Sequence, residues 1–258
     1  NSKAGNSRSN LKTMESNLPL GSKQSAGNGI LYLIPVPLAP EGINTIPENV
    51  RAKACSLKYY FVENLRTARR FLKAMDASVE IDAIRFSELN RNQPADLPLL
   101  KIWLESGFEI GVMSEAGCPG VADPGAELVQ RAHQLQARVV PFVGPNSMLL
   151  ALMASGFNGQ GYRFAGYLPL TDRERGRAIK EMEARSAAEN ETQIFMETPY
   201  RNRQLLLDLL KHCRAATRLC IAVNLSAPDE QIMSKTINEW SKGYPDLHKK
   251  PAVFLLMS

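Results

Sequence analysis

From Ile30 onward, short apolar runs alternate with segments whose apolar positions recur at helical spacing. The runs "ILYLIPV" (30 to 36), "KYYFVE" (58 to 63), "EIGVMS" (109 to 114) and "RVVPFV" (138 to 143) predict strands, and "IDAIRF" (81 to 86) predicts a further one. Between them, "NLRTARRFLKAM" (64 to 75) and "ADLPLLKIWLES" (95 to 106) carry the period of helices. "VGPNSMLLALMASG" (143 to 156) reads as a strand end running into a helix, with its methionines as helix core. Strands and helices in alternation predict a parallel sheet covered by crossover helices.

A second block follows "GFNGQGYRFAGYLPL". Here "RERGRAIKEMEARSAAE" (173 to 189) predicts a long charged helix with a solvated face, "TQIFME" (192 to 197) a strand and "YRNRQLLLDLLKHC" (200 to 213) a helix. "RLCIAVNL" (218 to 225) and "PAVFLLMS" (251 to 258) predict two more strands. The expected fold class is α/β, arranged as two α/β domains with a ligand cleft between them. The expected divisions are a flexible leader over 1 to 29, an N-terminal domain over 30 to 157 and a C-terminal domain over 158 to 258.

Composition changes this picture at the N-terminus. The first 29 residues are mostly Ser, Asn, Gly and Lys with little to bury. Their Lys3, Arg8, Lys12 and Lys23 against Glu15 supply +3 of the formal +5, leaving +2 for the body of the chain. Overall basicity is thus a weak argument for a nucleic-acid partner. No apolar run approaches the roughly 20 residues of a membrane-spanning helix, so no membrane partner is expected. Cys55, Cys118, Cys213 and Cys220 form no C-x-x-C pair, and His133, His212 and His248 lie far apart. The expectations are a reducing cytoplasmic setting, no disulfide framework and no metal site.

The stretch that asks for a chemical explanation is "GVMSEAGCPGVADPG" (111 to 125). It leaves a strand, then presents a hydroxyl, a carboxylate, a thiol and Asp-Pro-Gly among glycines. Gly117 and Gly120 remove side chains where a ligand would approach the backbone. Asp123 is expected to cap the next helix, with Pro124 in its first turn. Capping alone accounts for Asp123, but not for a second such loop at "VGPNS" in the same block. Open α/β sheets bind ligands where loops leave the carboxyl ends of their strands. The chain lacks a G-x-x-x-x-G-K-[ST] phosphate loop and a G-x-G-x-x-G after a strand, which disfavours ATP, GTP and a standard dinucleotide. A nucleotide-like ligand gripped by backbone groups stays open.

"SEAGCPGVADPG" resembles the S-D-A-G-T-P-x-x-x-D-P-G signature of the tetrapyrrole methylase superfamily, in its ribosomal RNA small-subunit methyltransferase I branch. The resemblance continues in order. "LYLIPVP" is similar to the first strand and loop, "VENLRTARRFL" to E-D-T-R-x-T-x-x-L-L, and "VGPNSMLLALMASG" to P-G-P-x-x-x-x-x-A-L-x-x-S-G. "FAGYLP" is similar to F-x-G-F-L-P, and "IFMETPYR" to I-F-Y-E-S-P-H-R.

The resemblance implies an S-adenosylmethionine-dependent methyltransferase that modifies a cytidine 2′-oxygen in small-subunit (16S) ribosomal RNA, working as a homodimer. It places the cofactor against Pro35, Ser114, Glu115, Ala116, Gly117, Val121, Ala122, Asn146 and Ser147 of the first domain. From the second it implies Met196, Glu197, Asn224, Leu225, Pro251 and Ala252. Glu63 and Arg66 fall at E-D-T-R positions, Glu63 to accept the hydroxyl proton and Arg66 to grip a phosphate; Arg201 is a second phosphate candidate. The competing reading of Glu63 and Arg66 is an ion pair that pins the helix.

Departures from the family pattern keep other activities in view. Asn64 and Leu65 replace a carboxylate and a hydroxyl, Glu115 stands for aspartate and Cys118 for threonine. The R-E-L-T-K stretch reads "VNLSA", and "PLAPEGINTIP" replaces the G-N-L-x-D after the first strand. The alternatives are a small-molecule methylase of the tetrapyrrole type and a cofactor-binding protein without catalysis.

Overall fold

The computed structural model describes residues 29 to 89 and 94 to 258. The leader expected over 1 to 29 lies, except for its last residue, outside the described residues.

In chain order the elements are β1 (Ile30–Leu33), α1 (Glu48–Ser56), β2 (Tyr59–Val62), α2 (Leu65–Met75), β3 (Arg85–Glu88), α3 (Leu97–Glu105), β4 (Glu109–Met113), α4 (Ala126–Gln134), β5 (Arg138–Pro141) and α5 (Ser147–Ser155). They continue as β6 (Tyr162–Tyr167), α6 (Asp172–Glu189), β7 (Thr192–Met196), α7 (Asn202–His212), β8 (Arg218–Val223), β9 (Gln231–Thr236), α8 (Ile237–Trp240) and β10 (Ala252–Met257).

The first sheet has the order β3-β2-β4-β1-β5 and every pairing in it is parallel. Successive side chains of a strand alternate between its faces. In β2, Tyr60 and Val62 therefore pack with α1 and α2, while Phe61 packs with α3 and α4. The apolar runs are continuous because both faces are covered. Asn64 starts α2, its side chain accepting the Thr67 N–H. β1 and β4 are neighbours whose following helices lie on opposite faces, so the loops leaving them diverge and open a crevice at the carboxyl ends.

The second sheet, β6-β7-β10-β8-β9, is mixed: β6 and β7 pair in parallel, and the other pairings are antiparallel. One face carries α6, α7 and α8. The other is covered by α5, whose Ala151 and Leu152 pack against Ile194, Cys220, Val253 and Leu255. Helix α5, within the expected N-terminal region, thus rests on the second sheet and ties the halves together.

Several expectations need adjustment. "IDAIRF" is a 3-10 turn over Ile81–Ala83, and the strand begins only at Arg85. The strands β6 and β9 have no counterpart among the predicted elements: both lie at sheet edges with exposed positions, and β6 shifts register between Phe164 and Gly166, where Gly166 has a φ of 74°. The charged helix α6 is not only a solvated face. Its Arg175 is 4% exposed and its Glu183 is 6% exposed. Arg175 is held by Asp208 and Asp172, each at 2.6 Å, and by the carbonyls of Pro169 and Leu170. Glu183 accepts from the Arg214 N–H and the Thr217 hydroxyl. Among the described residues no helix is long and apolar enough to cross a membrane.

Gly111 of β4 has no room for a side chain. A Cβ there would stand 2.2 Å from Cε1 of the fully buried Tyr60 and 2.9 Å from Cδ1 of Ile34. Tyr60 cannot swing aside, because its hydroxyl donates to the Ala54 carbonyl. Gly111→Ala is expected to destabilise the protein by about 1–3 kcal/mol, seen as a lower urea midpoint with an unchanged slope.

Candidate functional site

The opening loop is shaped by backbone torsion. After β4 ends at Met113, positive φ angles occur at Gly117 (72°), Gly120 (79°), Ala122 (62°) and Gly125 (131°). An alanine in this region is uncommon and points to a conformation imposed by its surroundings. The chain turns back so that Gly117 and Val36 exchange two backbone hydrogen bonds of 2.8 Å, which clips the loop after β4 to the loop after β1. The Cys118 thiol lies 3.5 Å from the Pro145 carbonyl, joining the loop after β5 to the same cluster.

Helix α4 is not capped by Asp123. Its N-cap is Gly125, and Pro124 precedes it, its carbonyl accepting the Gly120 N–H at 3.1 Å. The turn into the helix needs a φ of 131°, which glycine alone adopts readily, so the helix starts two residues later than side-chain chemistry predicts. At α5 the cap is conventional: Asn146 Oδ1 accepts the N–H groups of Met148 and Leu149.

The facing wall comes from one end of the second sheet. β7 and β8 end there, and the antiparallel β10 begins there. Asn224 (φ 50°) and Ser226 (φ 67°) form a tight turn in which the Asn224 N–H donates to the Pro251 carbonyl and its amide to Asp229. The buried Glu197 carboxylate accepts the Thr198 N–H and Arg201 Nη2, both at 2.6 Å.

Between the walls lies a crevice of about 520 Å³, a size suited to one small ligand. Leu38, Met148, Met196, Ala222, Leu225 and Val253 make it apolar, while Glu41, Asp123, Glu197 and Asp229 contribute carboxylates. Among the described residues that line it there is no Lys, Arg or His. A crevice walled in this way favours a ligand with positive charge and an apolar body over one with several phosphates.

Of the residues singled out from the sequence, Ala116, Gly117, Val121, Ala122, Asn146, Ser147, Met196, Glu197, Asn224, Leu225, Pro251 and Ala252 line the crevice together. Pro35 does not; it is packed behind Gly144, where a Cβ would come within 2.2 Å of its ring. Ser114 turns its hydroxyl to the Ala116 carbonyl at 3.1 Å, inside its own loop. Glu115 donates its N–H to Glu63 Oε2 at 3.1 Å, so it connects the crevice loop to the end of β2 rather than lining the crevice. Neither Glu63 nor Arg66 lines the crevice; Glu63 reaches its loop through the Glu115 N–H, and Arg66 lies in the first turn of α2. Arg66 is exposed, and Arg201 is anchored by Glu197 and Thr198. Leu65 packs against the core of the first sheet. The sequence reading missed Leu38 to Glu41 and Asp229, which lie where the family pattern fades.

Cys118 reports on the crevice. Burial raises its thiol pKa, Asn146 lowers it, and the Asp123 charge raises it, with a net upward shift. Little thiolate exists at neutral pH, so alkylation is expected to be slow until the medium is made alkaline. A ligand that fills the crevice is expected to protect Cys118, but not Cys55, which lies outside the crevice. Peptide mapping of the alkylated protein checks both statements.

Comparison with known proteins adds an independent line. The family model for tetrapyrrole (corrin/porphyrin) methylases matches residues 52–240. The ribosomal RNA small subunit methyltransferase I of Vibrio cholerae serotype O1 is 30% identical over 213 residues, covering 83% of this chain and 70% of that protein. The protein of the same name from Bacillus subtilis strain 168 is 29% identical over 211 residues, covering 82% and 68%. That from Escherichia coli O157:H7 is 28% identical over 238 residues, covering 90% and 80%. The solved structure of the methyltransferase CobJ superposes with a TM-score of 0.57 at 16% identity, covering 90% of this chain and 95% of that one. That likeness is one of fold.

Proposed function

From the premise that this chain belongs to the tetrapyrrole methylase family and is an S-adenosylmethionine-dependent methyltransferase, we propose that it methylates the 2′-oxygen of a cytidine ribose in small-subunit (16S) ribosomal RNA, with the donor held in the crevice between the two sheets. The observation that carries the donor assignment is the lining itself. It is apolar, bordered by four carboxylates and free of cationic side chains among the described residues. S-adenosylmethionine has a sulfonium, an ammonium and a carboxylate, so its net charge suits that setting. The relatives named above, which share about 30% of their residues over most of this chain, support RNA as the substrate.

When bound, the donor supplies an activated methyl group on sulfur. The chain's residues do the rest. The backbone of Ala116 to Ala122 and the turn at Asn224 and Leu225 would hold the donor from opposite sides, and Asn146 and Ser147 would close one flank. Glu197, fixed by Arg201, keeps the floor of the crevice in place. Glu63 follows β2 and is tied to the crevice loop through Glu115. In this reading Glu63 accepts the proton of the ribose hydroxyl as the new bond forms, and Arg66 grips a neighbouring phosphate. By holding donor and ribose together, these residues would contribute to the rate through proximity and orientation. Exposed Arg69 and Arg70, on the same helix as Arg66, extend the cationic rim for RNA.

The reading includes a cytoplasmic homodimer. Val143, Leu149 and Met153 leave an apolar strip 77%, 46% and 80% exposed on and before α5, which supports a second copy there.

The deciding experiment incubates the protein with methyl-labelled S-adenosylmethionine and, separately, small ribosomal subunits, naked ribosomal RNA and a porphyrinogen. Label is expected in the small-subunit RNA, in an alkali-stable dinucleotide that begins with cytidine, because a methylated 2′-oxygen cannot attack the adjoining phosphate. Label in the porphyrinogen alone would replace the RNA reading with the tetrapyrrole one.

A further inference from the structure

Next to a residue that lines the crevice stands an aromatic group for which donor binding and methyl transfer give no use. Tyr200 follows Pro199, which lines the crevice, and its side chain is 70% exposed. The ring is nevertheless held in place. His248 meets it edge-on, with centroids 6.1 Å apart and planes at 81°. The Lys249 ammonium stands 5.8 Å from its centroid. Lys249 also donates its N–H to the Pro199 carbonyl at 3.1 Å and adopts a φ of 60°, so the 248–250 turn is built against the 198–201 loop. A second ring, Tyr167 at the end of β6, lines the same crevice and is 54% exposed.

The lining and the surroundings of Tyr200 differ in chemistry. The crevice lining carries carboxylates and no cation among the described residues, whereas Tyr200, next to the lining residue Pro199, has an imidazole and an ammonium beside it. An open ring with a cation beside it suits an unpaired nucleobase, which stacks on the ring while its phosphate meets the cation. A duplex offers no free base face to such a ring.

Resting on the RNA reading above, we infer that Tyr200 is a stacking platform for an unpaired base next to the methylated nucleotide, with Lys249 beside it for that base's phosphate. Tyr200 is in this sense a substrate-binding and specificity-determining residue. It takes no part in proton transfer.

The test compares Tyr200→Ala and Tyr200→Phe in the full chain. Binding of a fluorescent unpaired RNA oligonucleotide is followed by anisotropy, and methyl transfer by titration with small ribosomal subunits. Tyr200→Ala is expected to weaken RNA binding and raise KM for the subunit by roughly 5- to 100-fold. Tyr200→Phe keeps the ring and should behave as the parent protein does, and kcat, donor binding and melting temperature should hold in both. The parent should also prefer the unpaired oligonucleotide to a duplex of the same sequence. Unchanged KM and binding in Tyr200→Ala, with transfer to RNA intact in the parent, overturns the platform and leaves the RNA reading standing. A loss accompanied by lost donor binding makes the ring a structural support and overturns the platform as well. A parent protein that neither labels nor binds RNA overturns both the RNA reading and the platform.

Discussion

Glu63→Gln is expected to lower the rate of methyl transfer at saturating donor and RNA by about 10²–10⁴-fold. The Glu63 carboxylate accepts the Glu115 N–H at 3.1 Å, a bond that ties the end of β2 to the crevice loop. Glutamine retains a carbonyl oxygen for that bond, so the position of the crevice loop and donor affinity should stay as they are. It cannot accept a proton from the ribose hydroxyl. Single-turnover measurements with labelled S-adenosylmethionine separate the chemical step from binding. A rate near that of the parent would remove Glu63 from the chemistry, and a fall in melting temperature would make its role structural.

Asp208→Ala is expected to destabilise the protein by about 3 kcal/mol, without touching the crevice. Arg175 is buried in α6, and Asp208 of α7 holds its Nε at 2.6 Å. Burial works against the guanidinium charge, but Asp208 and Asp172 more than offset it and raise the pKa of Arg175. Removing Asp208 leaves a buried cation with Asp172, whose side chain is 87% exposed, and two carbonyls. The cost is in the desolvated charge that remains, so Arg175→Met combined with Asp208→Leu should be less damaging than Asp208→Ala alone. Thermal unfolding of the two variants decides this, with an expected loss for Asp208→Ala of roughly 6–12 °C. Donor binding at 25 °C should be unaffected.

How much was legible in the sequence depended on which elements are buried on both faces. β1, β2 and β4 lie inside the first sheet, where "ILYL", "YYFV" and "EIGVM" announce themselves as apolar runs. β6 and β9 form the edges of the second sheet, and their exposed, polar positions carry no such signal. Chemistry was legible where torsion demanded particular residues, as at Gly117 and Gly120. It misled at Asp123, because a carboxylate before a helix resembles a cap while the backbone gave that position to Gly125.

The crevice was legible on one side only. Its first wall is a loop of unusual composition, and its second is made of strand ends that look like any other strand ends. Met196, Asn224, Leu225, Pro251 and Ala252 were named through the resemblance alone, and the structure brings them to the crevice. Leu38 to Glu41 belong to a loop that departs from the family pattern, so neither composition nor resemblance marked them. The buried pairing of Arg175 with Asp208 was equally invisible, since residues 33 positions apart on two helices leave no local pattern.

The proposed mechanism needs a sulfonium donor docked between the two sheets. A crystal structure of the protein grown with S-adenosylmethionine tests it most directly. The donor is expected between the Ala116–Ala122 loop, the end of β8 and the start of β10, with its charged sulfur among the crevice carboxylates. A donor bound at another surface, or a crevice filled by the protein's own side chains while the donor is bound elsewhere, would contradict it.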